Sequence, residues 1–276
     1  MSRYFGTFLA IVAVAVFLTA CAIHSEYRTR SFMSEDELRE IETMYHPSSE
    51  EPQAPEPFLA DFNGPAIRVN GLDIDAKDIR DLYEYYASFR DESPADLKTA
   101  ACEQWIITYA IMSQWPDTID ATVARLVDIR GKADTGTDFT GLIIENSQEP
   151  DADRTGGDLG DVHRGQAVPI FEMHAFSDPI GRVSGPFPTR AGWHLIRVLS
   201  RNTENAEDPT AHVSHLLLMH GLNPENARTI NENVVRWTSL AQIELLAPEL
   251  DDLLPRYAVR RQPAQEDIPA EPPIED

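Results

Sequence analysis

GGDLGDVHRGQAVPIFEMHAFSDPIGRVSGPFPTRAGWHLIRVLS, residues 156–200, is the stretch around which the rest of the chain takes its place. Gly156, Gly157 and Gly160 flank the apolar Leu159, so backbone with little side-chain bulk carries a leucine into a crowded place. From Pro169 to Phe176 the apolar residues Phe171, Ala175 and Phe176, with Glu172 and His174 between them, predict a short helix with one buried side. Gly181 breaks it. Val183 to Phe187 reads as a short extended run and Pro188 to Gly192 as a turn. Trp193, Leu195, Ile196, Val198 and Leu199 then read as an apolar, partly alternating strand.

The order and spacing of GGDLG, RGQ followed by PIFE and AF, the G-x-V-S-G-P turn and the closing T-x-x-GWHLIRV resemble the parvulin family of peptidyl-prolyl cis-trans isomerases. The resemblance implies an α+β fold, a parvulin-like antiparallel four-stranded sheet with surrounding helices, and no cofactor. It also implies an activity whose demands can be stated independently. Turning an X-Pro bond means passing a barrier of roughly 18–20 kcal/mol, because twisting ω destroys amide resonance. A catalyst needs an apolar cup for the proline ring, a grip on the flanking peptide and surroundings that favour the twisted amide. By resemblance the substrate-binding residues are Leu159, Val162, Gln166, Ala167 and Phe171. Ala167 stands where many parvulins carry methionine, which widens the cup. Taken singly, each apolar member reads more readily as ordinary core. The resemblance assigns His194 and a histidine facing it on a neighbouring strand to the floor of the site. Glu149 takes the position where relatives carry aspartate or cysteine, so His194, His215 and Glu149 are the candidate catalytic residues.

The first strand of the family poses a problem of order. Parvulins open with a strand ending in an S-H-I-L type motif, followed by a helix and a D-F segment. Here residues 119–147 supply the helix and Asp138-Phe139, and only residues 105–113 could precede them as a strand, with Tyr109 in place of histidine. AHVSHLLLMH, residues 211–220, matches the missing strand better. Two arrangements follow. In a permuted one, residues 212–219 lie antiparallel to 193–199 with His215 facing His194, across a linker of about ten residues. In the ordinary one, Tyr109 stands opposite His194 and the site is impaired. His212, His215 and His220 do not make a metal site on this reading, because positions 212 and 215 of a strand point to opposite faces.

Outward from this core, residues 1–20 read as an export signal. Arg3 precedes an apolar run from Phe8 to Leu18 that is short for a membrane span of ~20 residues. Leu18-Thr19-Ala20-Cys21 resembles a bacterial lipobox, which implies lipidation of Cys21 and a periplasm-facing cell-envelope protein; Ala22 favours the outer membrane. An uncleaved anchor helix competes with that reading. Residues 21–60 form a tether, since His46 to Phe58 holds four prolines and three glutamates without an apolar period. Residues 61–116 read as a helical, chaperone-like region: a strand, an Asn70-Gly71 turn, a helix capped near Asp75 and a second begun by Ser93-Pro94. Its V-N-G-x-x-I opening looks like that of periplasmic foldases carrying parvulin modules. Residues 117–220 are the isomerase-like domain. Residues 221–260 read as two helices packing on 61–116, the first with Ile230, Val234, Trp237, Ala241 and Leu245 buried. Residues 261–276 read as a disordered acidic tail.

The net charge of −23 and pI near 4.6 exclude a nucleic-acid partner. Glu149, Asp151, Asp153 and Asp161, against Arg154 and Arg164, make a phosphate-directed specificity unfit. Two functions remain: an isomerase acting on X-Pro bonds of unfolded or partly folded exported proteins, or a non-catalytic scaffold that binds such clients.

Overall fold

A computed structural model describes residues 58–205 and 208–256. The expectations for residues 1–20, Cys21, most of the tether and the tail at 261–276 fall outside them. The described chain opens with a hairpin, β1 (Pro65–Val69) and β2 (Leu72–Asp75), closed by Asn70 and Gly71 at φ 50° and 86°. Both angles lie in the left-handed region that this turn demands. Helix α1 (Ala76–Ala87) follows at once because the Asp75 carboxylate accepts from Lys77 N–H at 2.8 Å. Helix α2 (Pro94–Met112) starts from a Ser93 cap and a proline in its first turn. The two helices bury Ile79, Leu82, Tyr86, Ala101 and Trp105, and Trp105 Nε1–H donates to the Asp78 carbonyl at 2.9 Å.

The next helices, α3 (Ile119–Asp134), α4 (Phe139–Asn146) and the single turn α5 (Ala152–Thr155), cover one face of a four-stranded sheet. That sheet is built from β3 (Asp158–His163), β4 (Val183–Pro188), β5 (Gly192–Asn202) and β6 (Thr210–Met219), with α6 (Pro169–Ser177) between β3 and β4. Spatial order is β3-β6-β5-β4, and every neighbouring pair is antiparallel. The last strand in sequence thus lies inside the sheet, paired with β5 from Gly192↔Met219 to Asn202↔Thr210. Its sequence explains the placement. Val213 to Met219 is a nearly unbroken apolar run, buried on both faces, which only an inner strand can accommodate. Leu195, Leu216 and Leu218 pack on Leu126, Phe139 and Ile143, while Ile196, Val198 and Val213 pack on the opposite side with Phe171. Residues 105–113 belong largely to α2, so the ordinary strand order with Tyr109 as its histidine substitute is excluded.

The C-terminal segment keeps the two expected helical stretches but departs from expectation between them. Helix α7 (Asn226–Leu240) lies against α2 and buries Ile230, but it stops before Ala241 and Leu245. The chain then extends into β7 (Ile243–Leu245), which completes a sheet of order β2-β1-β7 through Ile67↔Leu245 and Val69↔Ile243. The open edge of β1 captures this segment, so the auxiliary region is a three-stranded sheet with helices. Pro248–Arg256 is 3-10 helix, held to α2 by Lys98 Nζ at 2.5 Å from Asp252 Oδ2. Among the described residues no helix is long and apolar enough to cross a membrane.

Candidate active site

The pleat brings the two histidines together. Opposite residues of an antiparallel pair share a face, and so do positions two apart. With Ile196 opposite His215 and Leu217 opposite His194, the imidazoles are diagonal neighbours on the face covered by α6. Their Nδ1 atoms are 3.4 Å apart, with ring centroids at 5.6 Å and planes 21° from parallel. Stacking continues from His194 to Phe187 at 15° and from Phe187 to His174 at 16° and 3.7 Å. Phe171 of α6 stands edge-on to both imidazoles, at 5.4 Å from His194 and 5.6 Å from His215.

The hydrogen bonds around this stack have a direction. Thr189 Oγ1 accepts from Ala191 N–H at 3.1 Å and lies 2.9 Å from His194 Nε2. Among the described residues the Thr189 hydroxyl hydrogen has no other acceptor, so it points at His194 Nε2. His194 then carries its proton on Nδ1 and donates to His215 Nδ1, which leaves His215 protonated on Nε2. That Nε2 is buried without a hydrogen-bond partner, 3.8 Å from Glu149 Oε2. The reverse direction would orphan the threonine hydrogen and set a bare nitrogen lone pair against a carboxylate.

Charge burial keeps the rings neutral. Burial, aided by the neighbouring His215, holds His194 well below the ordinary histidine value of 6.5. Burial alone lowers His215 to about 4, and it lowers His220 to about 4 against a hydrogen bond to the Thr189 carbonyl that works the other way. Burial also raises Glu149 above the usual carboxylate value.

Backbone contacts fix Glu149 and the edge of the site. Gln148 N–H donates to Leu217 O at 2.7 Å, and Gln148 Oε1 accepts from Met219 N–H at 2.8 Å, so this loop runs along β6. On the other side His215 N–H donates to Gly157 O at 2.9 Å. Gly157 has φ +76°, and a Cβ there would lie 2.3 Å from His215 O, which explains why glycine stands at this position.

The expected cup is only partly assembled. Phe171, Val162 and Ala167 share one apolar cluster, but Phe171 is 4% exposed and Val162 8%, so the floor is closed by its own side chains. Leu159 is 42% exposed and lies outside the cluster, in the stretch between Asp158 and Asp161 where the β3–β6 register shifts. Gln166 is exposed, its Oε1 accepting from His163 N–H at 3.3 Å. Above the floor, Gln104 and Ile107 of α2 share a void of about 20 Å³ with Val168 and Thr189. Helix α1 reaches α6 through Tyr85, whose hydroxyl donates to Glu172 Oε2 at 3.3 Å, while Glu172 Oε1 accepts from Ala167 N–H at 3.1 Å. His212 sits apart with Asp158 and Asp161 at 3.0 and 3.2 Å, and no group of described residues is arranged to hold a metal ion.

Sequence reasoning passed over Thr189, Phe187, His220 and Glu172. Thr189 carried a legible signal, a hydroxyl across a tight turn from a strand histidine. Glu172 carried none, since α6 is buried nearly all round and its periodicity does not reveal which polar group points inward.

Residues 111–200 match the family described as Rotamase: PPIC-type PPIASE domain. The chain carries a parvulin-type domain. The matched segment ends before β6 begins at Thr210, so the strand bearing His215 lies beyond it. Curated relatives include a Chaperone SurA from Nitrosococcus oceani, 41% identical over 81 residues that make up 29% of this chain and 19% of that protein. A Foldase protein PrsA from Halalkalibacterium halodurans is 30% identical over 149 residues, 54% of this chain and 39% of the relative. A Foldase protein PrsA from Geobacillus kaustophilus is 29% identical over 128 residues, 46% and 44% of the two chains. The aligned segments thus span less than half the length of these relatives. In this chain β6 follows β5 and takes the inner place in the sheet.

Proposed function

We propose that this protein is a peptidyl-prolyl cis-trans isomerase assisting the folding of exported proteins, with His194, His215 and Glu149 as catalytic residues and Phe171, Val162, Ala167, Gln166 and Leu159 as the substrate-binding set. The single observation that carries the reading is the unpartnered Nε2–H of His215, buried beside Glu149 at the edge of an aromatic floor. A planar prolyl amide is held by resonance and by water on its polarised carbonyl. An apolar floor removes that water and so favours the twisted form. As the bond twists, the nitrogen lone pair localises, and an N–H donor placed there bonds the twisted amide better than the planar one. The proline ring enters from the side of Ala167 and Leu159, where surface remains, and Phe171 must yield to seat it. The domains follow the same reading: an export signal at 1–20, a lipid anchor on Cys21 with a tether at 21–60, a chaperone-like region at 61–116 closed by residues 221–260, the isomerase at 117–220, and an acidic tail at 261–276. Clients are unfolded or partly folded exported proteins, met at the periplasmic side of the bacterial envelope.

The closed floor over Phe171 favours a second reading, a binding scaffold without turnover. A protease-coupled assay on prolyl tetrapeptides separates the two. Acceleration by the wild type that falls in Phe171→Ala and His194→Ala supports the isomerase; no acceleration by the wild type leaves only the scaffold.

A further inference from the structure

His220 follows β6 directly and takes no part in the histidine pair, yet it is 3% exposed. Its Nε2 lies 2.8 Å from the carbonyl oxygen of Thr189. A carbonyl can only accept, so Nε2 bears the proton and the ring is anchored in one tautomer. The same ring stacks on Trp115 at an interplanar angle of 1° and 6.3 Å between centroids, and Trp115 meets Trp237 of α7 edge-on at 5.7 Å. Gly221, at φ +70°, lets the chain pass under Trp115, since a Cβ there would lie 2.6 Å from Trp115 Cδ1. Asn226 Nδ2–H donates to the His220 carbonyl at 2.7 Å and fixes the backbone on the other side.

Thr189 is therefore gripped twice. Its hydroxyl sets the tautomer of His194, and its carbonyl is held by His220. We infer that His220 is a positioning residue for the isomerase site, holding the Thr189 turn so that the hydroxyl meets His194, and that the seat of the ring between Trp115 and Thr189 couples helix α7 and the turn that follows α2 to the histidine pair. The inference rests on the isomerase reading for its kinetic consequence, but the His194 tautomer can be read without turnover.

The test uses the full chain with its helical region intact. Line-shape exchange measurements on a prolyl tetrapeptide give kcat and KM separately, long-range proton–nitrogen spectra show which ring nitrogen of His194 is protonated, and thermal melts report folding. His220→Ala is expected to lower kcat about tenfold, the order of one hydrogen bond, with KM within about twofold, and to redistribute the His194 proton. His220→Gln, which keeps an N–H donor for the Thr189 carbonyl, is expected to recover most of both. Trp115→Leu is expected to move the His194 spectrum in the same direction as His220→Ala. An unchanged His194 tautomer and kcat in His220→Ala overturns the inference. So does an equal loss in the Ala and Gln variants that tracks melting temperature, since that is a packing effect alone. A wild type without turnover, but with a His194 tautomer that responds to His220, defeats the isomerase reading and keeps the positioning role.

Discussion

Thr189→Val keeps the size of the side chain and removes the proton that fixes His194, whereas Thr189→Ser keeps the hydroxyl. The tetrapeptide assay is expected to show a fall in kcat/KM of about tenfold for valine and little change for serine. The same residues set the response to acid. His215 and His220 are held at about 4 against an ordinary 6.5, so the unfolded chain takes up protons that the folded one refuses. Their contribution to stability is complete above pH 6.5 and is lost as the pH falls through about 4. Asp78 works in the opposite sense. Burial, then the nearby Asp75, raises it from 3.8 to about 6, so its ionised form destabilises the fold at neutral pH and the penalty fades on acidification. Melting curves are expected to show a falling midpoint between pH 6.5 and 4, and Asp78→Asn is expected to gain on the order of 1 kcal/mol at neutral pH but nothing near pH 4. At this scale the sequence made His194 and His215 visible because each stands among apolar neighbours in a strand. Thr189 and His220 act through a turn and a carbonyl, and such partners are set by tertiary geometry.

Among the elements, the approach of Gly157 to β6 is close. Gly157→Ala would force a Cβ against His215 O from a backbone region that alanine avoids, and a loss of about 2 kcal/mol or more is expected in denaturant melts. Phe171→Ala empties the middle of the aromatic floor, and a loss of about 3–5 kcal/mol follows from the transfer and cavity terms. The partial hydrophobic alternation of β5 and the caps of α1 and α2 could be read from the sequence, because each is a local pattern with a local cause. β7 could not. Val234, Trp237, Ala241 and Leu245 keep a helical period across the boundary. The period is overruled by the unpaired edge of β1, more than 170 residues earlier in the chain, as the hydrogen bond from Gln242 N–H to Asn70 Oδ1 shows with its separation of 172. The exposure of Leu159, which lies where the β3–β6 register shifts, was not legible either, because no residue pattern announces that irregularity.

For the whole molecule, the family match and the folding unit do not coincide. A chain cut after Asn202 retains all of residues 111–200 but lacks β6, leaving facing edges of β3 and β5 unpaired about one strand width apart. Circular dichroism and thermal melts of that truncated chain are expected to show no cooperative transition, while the chain continued through Arg256 melts cooperatively. A cooperative transition in the shorter chain would mean that another segment fills the gap. The helical region is also part of this unit. Tyr85 reaches Glu172 on α6, and Arg164 lies 4.5 Å over Phe89 and 4.8 Å over Phe176, so an aromatic box joins α1 to the face of the sheet that carries the histidines. The inner position of β6 has a consequence for synthesis. A ribosome delivers residues in order, and the two strands that must flank β6 emerge before it. The nascent molecule therefore waits with a slot through its middle until Met219 has been added. For most of its own translation the sheet stays incomplete, and the nascent molecule is exposed to capture by any extended segment that fits the slot.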